Sequence, residues 1–337
     1  MQDGMHILYQ FNEKYAPYAG VSLTSLFENN KAAKSIYIYI LGEGLSKDSI
    51  GRLNKLAVAY NREVIFVPTD ELIEQMKELN MPTYRGSYAA NMRLFVADVA
   101  KDADRLLYLD ADTIVTGDIT SLFEMDIKTV GMVYDTLGCV HKYDIGLSSD
   151  DGYYNSGVIV YDLKKWRDNK ITDRIISHVQ NVRAQYPSPD QDLLNVCLKG
   201  EITSLPFEYN FQPHLREYSY KLFTKVFKPY PFYSQEQVEK AQKEPVIMHA
   251  FRYIGAFPWH EGSRHPFCDE FDKYMLMSLW ADYIKEKKDT GIAIWVEELL
   301  HKVMPKAVFL RLFKIMHRAF FVKADKLSRN QKISKQM

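Results

Sequence analysis

The chain is poor in the features that would tie it to several obvious classes. Its three cysteines, Cys139, Cys197 and Cys268, are too few and too scattered for a disulfide framework or a thiolate zinc site, and they fit a reducing compartment, the cytosol. Neither G-x-G-x-x-G nor G-x-x-x-x-G-K occurs, which excludes the dinucleotide fingerprint and the P-loop. No apolar run reaches the roughly 18 residues that a membrane-spanning helix needs. A charged n-region followed by an apolar h-region is also missing, so neither a span nor secretion is expected. With 43 basic residues against 43 acidic ones, no global field favours nucleic acid or an acidic polymer. Internal repeats and low-complexity blocks are absent too.

Aromatic residues, by contrast, are plentiful, with 23 Tyr and 18 Phe, enough for an aromatic core with some sugar-stacking surface. Charge is uneven: from Lys302 onward ten Lys or Arg residues accompany one acid, Asp325. Strand and helix patterns alternate. Residues 6–11 read as a buried strand, 18–27 as a helix, 36–41 as a strand, 46–61 as a helix capped by Ser46, and 63–67 as a third strand closed by Pro68. Such βαβαβ order predicts a parallel sheet with right-handed crossovers. Helical segments at 72–79 and 88–99 lead into a strand ending at Asp110; strands at 130–134 and 153–161 follow, then a helical stretch at 164–183 broken near Asp168-Asn169, and another from Asp190. The expected fold class is α/β: one domain over residues 1–262 with a mainly parallel central sheet, and a C-terminal helical extension over 263–337 with a basic tail.

The strand Leu106-Leu107-Tyr108-Leu109-Asp110 runs into Ala111-Asp112-Thr113. On an extended chain Asp110 and Asp112 would project the same way at the carboxyl end of the strand, where open α/β sheets bind ligands. Two close carboxylates suit Mg²⁺ or Mn²⁺, which accepts hard oxygen donors and leaves positions open for phosphate. Without a cation, repulsion favours a proton on one of them. An Asx turn capping the next element is the plainer alternative. The string also matches the nucleophile motif of haloacid-dehalogenase-type phosphatases, although here the strand comes late and the nearest acidic Gly-containing segment is Asp150-Asp151-Gly152.

Several further motifs stand in order along the chain: Tyr15-Ala16-Pro17, Met92-Arg93-Leu94, Tyr154-Asn155-Ser156-Gly157-Val158, Leu163-Lys164-Lys165-Trp166, Asp190-Gln191-Asp192, Tyr209-Asn210, His249, Gly255 and Pro258-Trp259-His260. With the two aspartates they resemble glycosyltransferase family 8 over roughly residues 6–260, a family that includes glycogenin and bacterial lipopolysaccharide galactosyl- and glucosyltransferases. The resemblance implies a GT-A-type, Rossmann-like domain. It implies retaining transfer of a hexose, glucose or galactose, from a UDP-sugar to a cell-envelope or exopolysaccharide glycan, with a lipid-linked saccharide as one form of acceptor. Mn²⁺ or Mg²⁺ would be held by Asp110, Asp112 and His249, and Arg93 would meet the donor. Asp135, Asn155, Asp190 and Gln191 would serve the sugar and catalysis, with Asp192 near the sugar and acceptor. Further donor contacts would come from Asn12, Tyr15, Ala111, Ser156, Gly157, Gly255 and Trp259.

Each of these residues has a plainer reading as well. His249 after Val246-Ile247-Met248 fits a satisfied core histidine, Asn155-Ser156-Gly157 a turn into a strand, and Asp190 and Asp192 the acids of a helix start. Two positions depart from the family pattern. Phe11-Asn12-Glu13-Lys14-Tyr15 stands where the first loop is usually Asp-rich, and Phe257 replaces the Lys of Gly-x-x-Lys-Pro-Trp. Arg252 or Arg264 is expected to take over that Lys's role at the diphosphate. The same departures suit a catalytically weakened member that binds a sugar nucleotide or glycan. Finally, residues 303–322 set Lys306, Arg311, Lys314 and Arg318 among Val308, Phe309, Leu312, Phe313, Ile315, Met316, Phe320 and Phe321. This basic amphipathic pattern suits either the inner face of an anionic plasma membrane or packing on the domain.

Overall fold

The computed structural model describes residues 4–84, 86–101, 103–182, 186–288 and 291–319. Its strands are β1 (Met5–Asn12), β2 (Ile36–Glu43), β3 (Glu63–Val67), β4 (Arg105–Asp110), β5 (Thr113–Val115), β6 (Val130–Tyr134), β7 (Tyr154–Asp162), β8 (Ile202–Ser204) and β9 (Ile247–His249). Seven of them form one sheet in the order β3-β2-β1-β4-β7-β6-β8. The pairs β1–β2, β2–β3, β1–β4 and β6–β8 are parallel, so the mainly parallel α/β sheet expected from the sequence is present. Only β7 runs against its neighbours, β4 and β6. That reversal sets the start of β7 beside the end of β4, with Val158 opposite Leu109, so Asn155, Ser156 and Gly157 arrive at the edge where Asp110 ends its strand. The remaining pair, β5–β9, is antiparallel and places His249 opposite Thr113.

Alternation along the strands explains the two apolar layers. Ile7, Tyr9, Leu107, Leu109, Val158 and Val160 face one buried cluster, and Leu8, Leu106, Tyr108, Ile159 and Tyr161 face the other. Each such side chain contributes on the order of 1.5–3 kcal/mol when fully buried. Ser46 caps the helix Lys47–Ala59 by accepting from the Ser49 amide at 3.1 Å. The stretch expected as a helix at 88–99 is a 3₁₀ segment, Ala89–Phe95, followed by a short α-helix, Val96–Val99. Side chains claim the carbonyls that a regular helix would use: Arg93 Nε bonds Ala90 O at 3.1 Å, Tyr161 Oη bonds Arg93 O at 3.0 Å, and Thr172 Oγ1 bonds Leu94 O at 2.9 Å. After residue 262, Phe267, Phe271, Tyr274 and Trp280 join the same apolar cluster as one sheet face. Trp280 lies so close to the helix Ala16–Asn29 that a Cβ on Gly20 would meet its ring at 2.3 Å.

Burial disfavours the charged form of two histidines here, His265 within this C-terminal segment and His214. His265 donates from Nε2 to the Phe251 carbonyl at 3.0 Å while its Nδ1 accepts from the Phe267 amide at 3.1 Å, leaving no place for a second proton. Burial pushes its pKa down to about 4, and burial together with neighbouring His317 and His265 pushes His214 down to about 3. Because the folded values lie below the roughly 6.5 of an unfolded histidine, the stability they contribute is complete above that pH and declines as the pH falls toward 4 and then 3. The thermal midpoint measured by calorimetry is expected to fall from pH 6.5 to 5, with each histidine adding up to about 1.4 kcal/mol per pH unit. His265→Gln should flatten that slope; an equally steep slope in the variant would refute the assignment.

Candidate active site

The end of β4 is held by its own strand. Tyr108 shares a face with Asp110 and its hydroxyl donates to Asp110 Oδ1 at 2.6 Å. Arg93 lies over the Tyr108 ring, 4.2 Å from its centroid, and its Nη2 meets the same Oδ1 at 3.0 Å. From Nη1 the guanidinium also donates to Ser156 O at 2.8 Å and pairs with Asp190 Oδ2 at 3.3 Å. With a side chain only 7 % exposed, Arg93 is a buried cation between two carboxylates. Burial opposes its charge, but Asp110, Tyr108 and Asp190 outweigh burial and raise its pKa. Burial raises the Asp190 carboxyl in turn, and Arg93 draws back only part of that rise.

Asp112 does not lie on an extended strand as expected. The chain turns at Ala111-Asp112 between β4 and β5, and the turn is pinned by Thr113 Oγ1 donating to Asp110 O at 2.8 Å and by Ala250 N donating to Asp112 O at 2.8 Å. A turn, and not strand alternation, brings the carboxylates together. They converge on His249, whose Nε2 is 3.2 Å from Asp112 Oδ1 and 3.5 Å from Asp110 Oδ2. One ligand atom from each of the three residues lies within 4.8 Å of the others.

The protonation of His249 follows from its neighbours. Asn155 must point its amide nitrogen at Asp135 Oδ2, 2.9 Å away, because a carboxylate only accepts. Its Oδ1 therefore faces inward, accepting from the Gly157 amide at 3.0 Å and from Asn210 Nδ2 at 2.9 Å. Having donated with Nδ2, Asn210 offers its own Oδ1. His249 Nδ1 lies 3.1 Å from both amide oxygens, so Nδ1 carries the hydrogen and the Nε2 lone pair faces two carboxylates. Three acceptors pointing at one another need a proton or a cation between them. Burial works against a charged ring, yet Asp112 and Asp110 outweigh it and raise the His249 pKa. Two hard oxygens and one imidazole nitrogen, with the outer nitrogen fixed by a second layer of amides, fit Mn²⁺ or Mg²⁺ with positions left open.

The other expected residues divide into three groups. Asp135, Asn155, Ser156, Gly157, Asp190 and Gln191 are brought to the cluster as one network. Ser156 Oγ donates to Asp190 Oδ2 at 2.9 Å, and the Ser156 amide donates to Gln191 Oε1 at 3.0 Å. Gly157 is packed by the histidine itself: a Cβ there would lie 2.0 Å from His249 Cε1. Asn12 ends β1 and Tyr15 follows it, with Asn12 exposed and Tyr15 edge-on to Trp259 at 6.2 Å, while Ala111 is buried between the two aspartates. The third group lies elsewhere. Trp259 is 2 % exposed, stacked on Tyr18 at 3.9 Å and on Phe257 at 4.4 Å. Gly255 adopts φ +73° under the helix Ile292–Val303, where a Cβ would meet Ile294 at 2.6 Å. Arg252 and Arg264 are exposed. Asp192 is fully buried, accepting from Tyr153 at 2.6 Å and from the Ser188 amide at 2.9 Å, and is not brought to the cluster. Asn210, which fixes the histidine tautomer, was given no role from the sequence; its only signal there is its place in the motif Tyr209-Asn210.

Comparison with known proteins gives a consistent picture. The family model Glycosyl transferase family 8 matches residues 6–262. General stress protein A of Bacillus subtilis is 25 % identical, over 82 % of this chain and 94 % of its own. The lipopolysaccharide 1,2-glucosyltransferase of Escherichia coli K12 is 28 % identical, over 82 % of this chain and 79 % of its own. The lipopolysaccharide 1,3-galactosyltransferase of Salmonella typhimurium is 26 % identical, over 83 % and 80 %. Among solved structures, the galactosyltransferase LgtC in complex with donor and acceptor sugar analogs superposes with a TM-score of 0.66 at 23 % identity, covering 82 % of this chain and 96 % of that one. The bifunctional glycosyltransferase WbbM gives 0.69 at 18 %, covering 88 % of this chain and 52 % of that one. These structural likenesses establish the fold.

Proposed function

Since the chain belongs to glycosyl transferase family 8, we propose that it is a metal-dependent, retaining hexosyltransferase that moves glucose or galactose from a UDP-sugar to a cell-envelope or exopolysaccharide glycan. One observation carries the metal dependence: the His249 Nε2 lone pair aimed at Asp110 and Asp112 inside a site whose outer bonds are all satisfied. When bound, Mn²⁺ or Mg²⁺ supplies Lewis-acid charge for the departing diphosphate. The protein's own groups do the rest. Arg93 holds Asp110 and Asp190 apart and in register, Tyr108 occupies the inner oxygen of Asp110 so that the outer one is presented to the site, and Asp135, Asn155 and Gln191 offer polar atoms for sugar hydroxyls. Incubation with Mn²⁺ and UDP-glucose or UDP-galactose should release UDP slowly, faster with acceptor, and not at all in EDTA. Metal-dependent binding with no release under any acceptor would instead support a sugar-nucleotide or glycan binder, the reading that Phe257, stacked on Trp259 in place of the family's Lys, favours.

For the acceptor side we propose peripheral contact with an anionic membrane. Among the described residues no helix is long and apolar enough to cross one. Part of the basic tail follows the packing alternative: Phe309, Leu310 and Phe313 are buried in the core, and Lys314 donates to the carbonyls of Val226 and Phe227 at 3.1 and 3.3 Å, capping the helix Tyr220–Phe227. Phe320 and Phe321 lie outside the described residues. The exposed apolar stripe is Ile292, Trp295, Leu299 and Val303 on the helix Ile292–Val303, with Ile292 82 % and Trp295 59 % exposed, and Lys302 on that helix and Arg311 and Arg318 on the helical stretch 306–319 are exposed too. Ile292→Ser/Trp295→Ser should cut co-sedimentation with phosphatidylglycerol vesicles several-fold; unchanged co-sedimentation would remove the proposal.

A further inference from the structure

Tyr153 stands immediately before β7 and is buried. Room for its ring comes from Gly138, where a Cβ would lie 2.0 Å from Tyr153 Cδ1. Its hydroxyl has one hydrogen and three close partners. Asp192 Oδ1, at 2.6 Å, can only accept, so the hydrogen goes there. The oxygen is then left to accept, and it does so from Gln191 Nε2 at 2.9 Å and from His141 Nε2 at 2.9 Å. Asp192 cannot yield, because its other oxygen takes the Ser188 amide at 2.9 Å, just ahead of the helix Pro189–Cys197.

The consequence falls on Gln191. Its Oε1 accepts from the Ser156 amide at 3.0 Å and its Nε2 donates to Tyr153 and, at 3.4 Å, to Asp135 Oδ2. A flipped amide would set Nε2 against the Ser156 N–H and Oε1 against the Asp135 carboxylate. Three fixed groups therefore define one orientation, and of these Tyr153 is the one that bonds His141 itself. We propose that Tyr153, locked by Asp192, is a positioning residue that sets the amide orientation of Gln191 and couples it to the segment Gly138–Ile145. This rests on the glycosyltransferase reading above and assigns Asp192 to the support of the site.

Removing the phenolic oxygen frees one side of the Gln191 amide while Phe still fills the space over Gly138. Tyr153→Phe is expected to lower kcat for UDP release by about 10- to 100-fold, the usual loss for a supporting bond of a reacting group, with donor KM unchanged and the thermal midpoint lowered only slightly. The decisive comparison is a double-mutant cycle: the phenol should cost this factor in the wild type and nothing in a Gln191→Ala background. An equal loss in both backgrounds, or a rise in KM with kcat unchanged, would overturn the proposal. If Tyr153→Phe fails to fold, Tyr153→Phe/Asp192→Asn removes phenol and buried charge together and enters the same cycle. A wild type that releases no UDP would refute the functional reading alone. The crystal structure of the variant then decides positioning: a Gln191 amide unmoved from Ser156 and Asp135 overturns it, and a rotated one supports it.

Discussion

Alanine at position 157 is expected to abolish metal-dependent turnover while leaving a folded protein. Gly157 lies inside β7, where the backbone needs no glycine, so the substitution is opposed only by what occupies the space. A Cβ there would sit 2.0 Å from Cε1, 2.5 Å from Nδ1 and 2.8 Å from Nε2 of His249. The imidazole must move, and it has nowhere equivalent to go. Both amide oxygens that hold Nδ1 are tied into the β7 network, the backbone is paired to Thr113, and Phe251 stands edge-on at 5.0 Å. Rotating the ring away breaks the Nδ1 bonds and withdraws Nε2 from the carboxylates. Overpacking of this kind costs about 1–3 kcal/mol, which a chain of this size tolerates. Mn²⁺ affinity should fall by ~10²-fold, at the upper end of what displaced supporting groups cost, and UDP release by at least as much. Calorimetric Mn²⁺ titration beside circular dichroism checks both; a folded Gly157→Ala protein that binds Mn²⁺ as the wild type does would show that His249 is not a ligand.

How much of this was legible beforehand depends on what each feature is made of. Alternation in Ile36–Leu41 and the Ser46 cap are local signals, and both elements appear where the pattern places them. Strand direction is not local: nothing in 153–161 announces that β7 runs backward, yet that reversal delivers Asn155 and Gly157 to the site. The aspartate pair is recognisable by residue type, but its geometry is not local, because one hydroxyl, Thr113, and one amide, Ala250, convert an extended run into a turn. Asp190 and Asp192 look equivalent in the sequence. On a helix, two positions apart means roughly 200° apart, so Asp190 meets Arg93 at the site while Asp192 is driven into the protein against Tyr153. His249 was found through resemblance, whereas Asn210, about forty residues upstream and bonded to it, carried no chemical signal by type or spacing. In the tail, periodicity identified an amphipathic helix and could not say that its aromatic face meets the protein's own core.

Asp110→Asn and Asp112→Asn should both lose metal-dependent UDP release, by ~10²-fold or more as for other groups that stabilise transition-state charge, but they should part company in stability. Asp112 faces the site and, among the described residues, its carboxylate pairs with His249 alone, so removing its charge gives up that pair but relieves repulsion with Asp110 in the metal-free protein, leaving the thermal midpoint near that of the wild type. Asp110 has a second duty. Its Oδ1 receives both the Tyr108 hydroxyl and the buried Arg93 guanidinium, and the neutral amide leaves that guanidinium with Asp190 as its remaining carboxylate. Breaking a buried ion pair outright costs about 3–5 kcal/mol; with one partner retained, a loss on the order of 1–3 kcal/mol is expected. Urea titration of the metal-free proteins measures the difference directly. Equal stability in the two variants would mean that Asp190 alone satisfies Arg93, and the pairing of Asp110 with Arg93 would then serve only to aim the carboxylate at the cation.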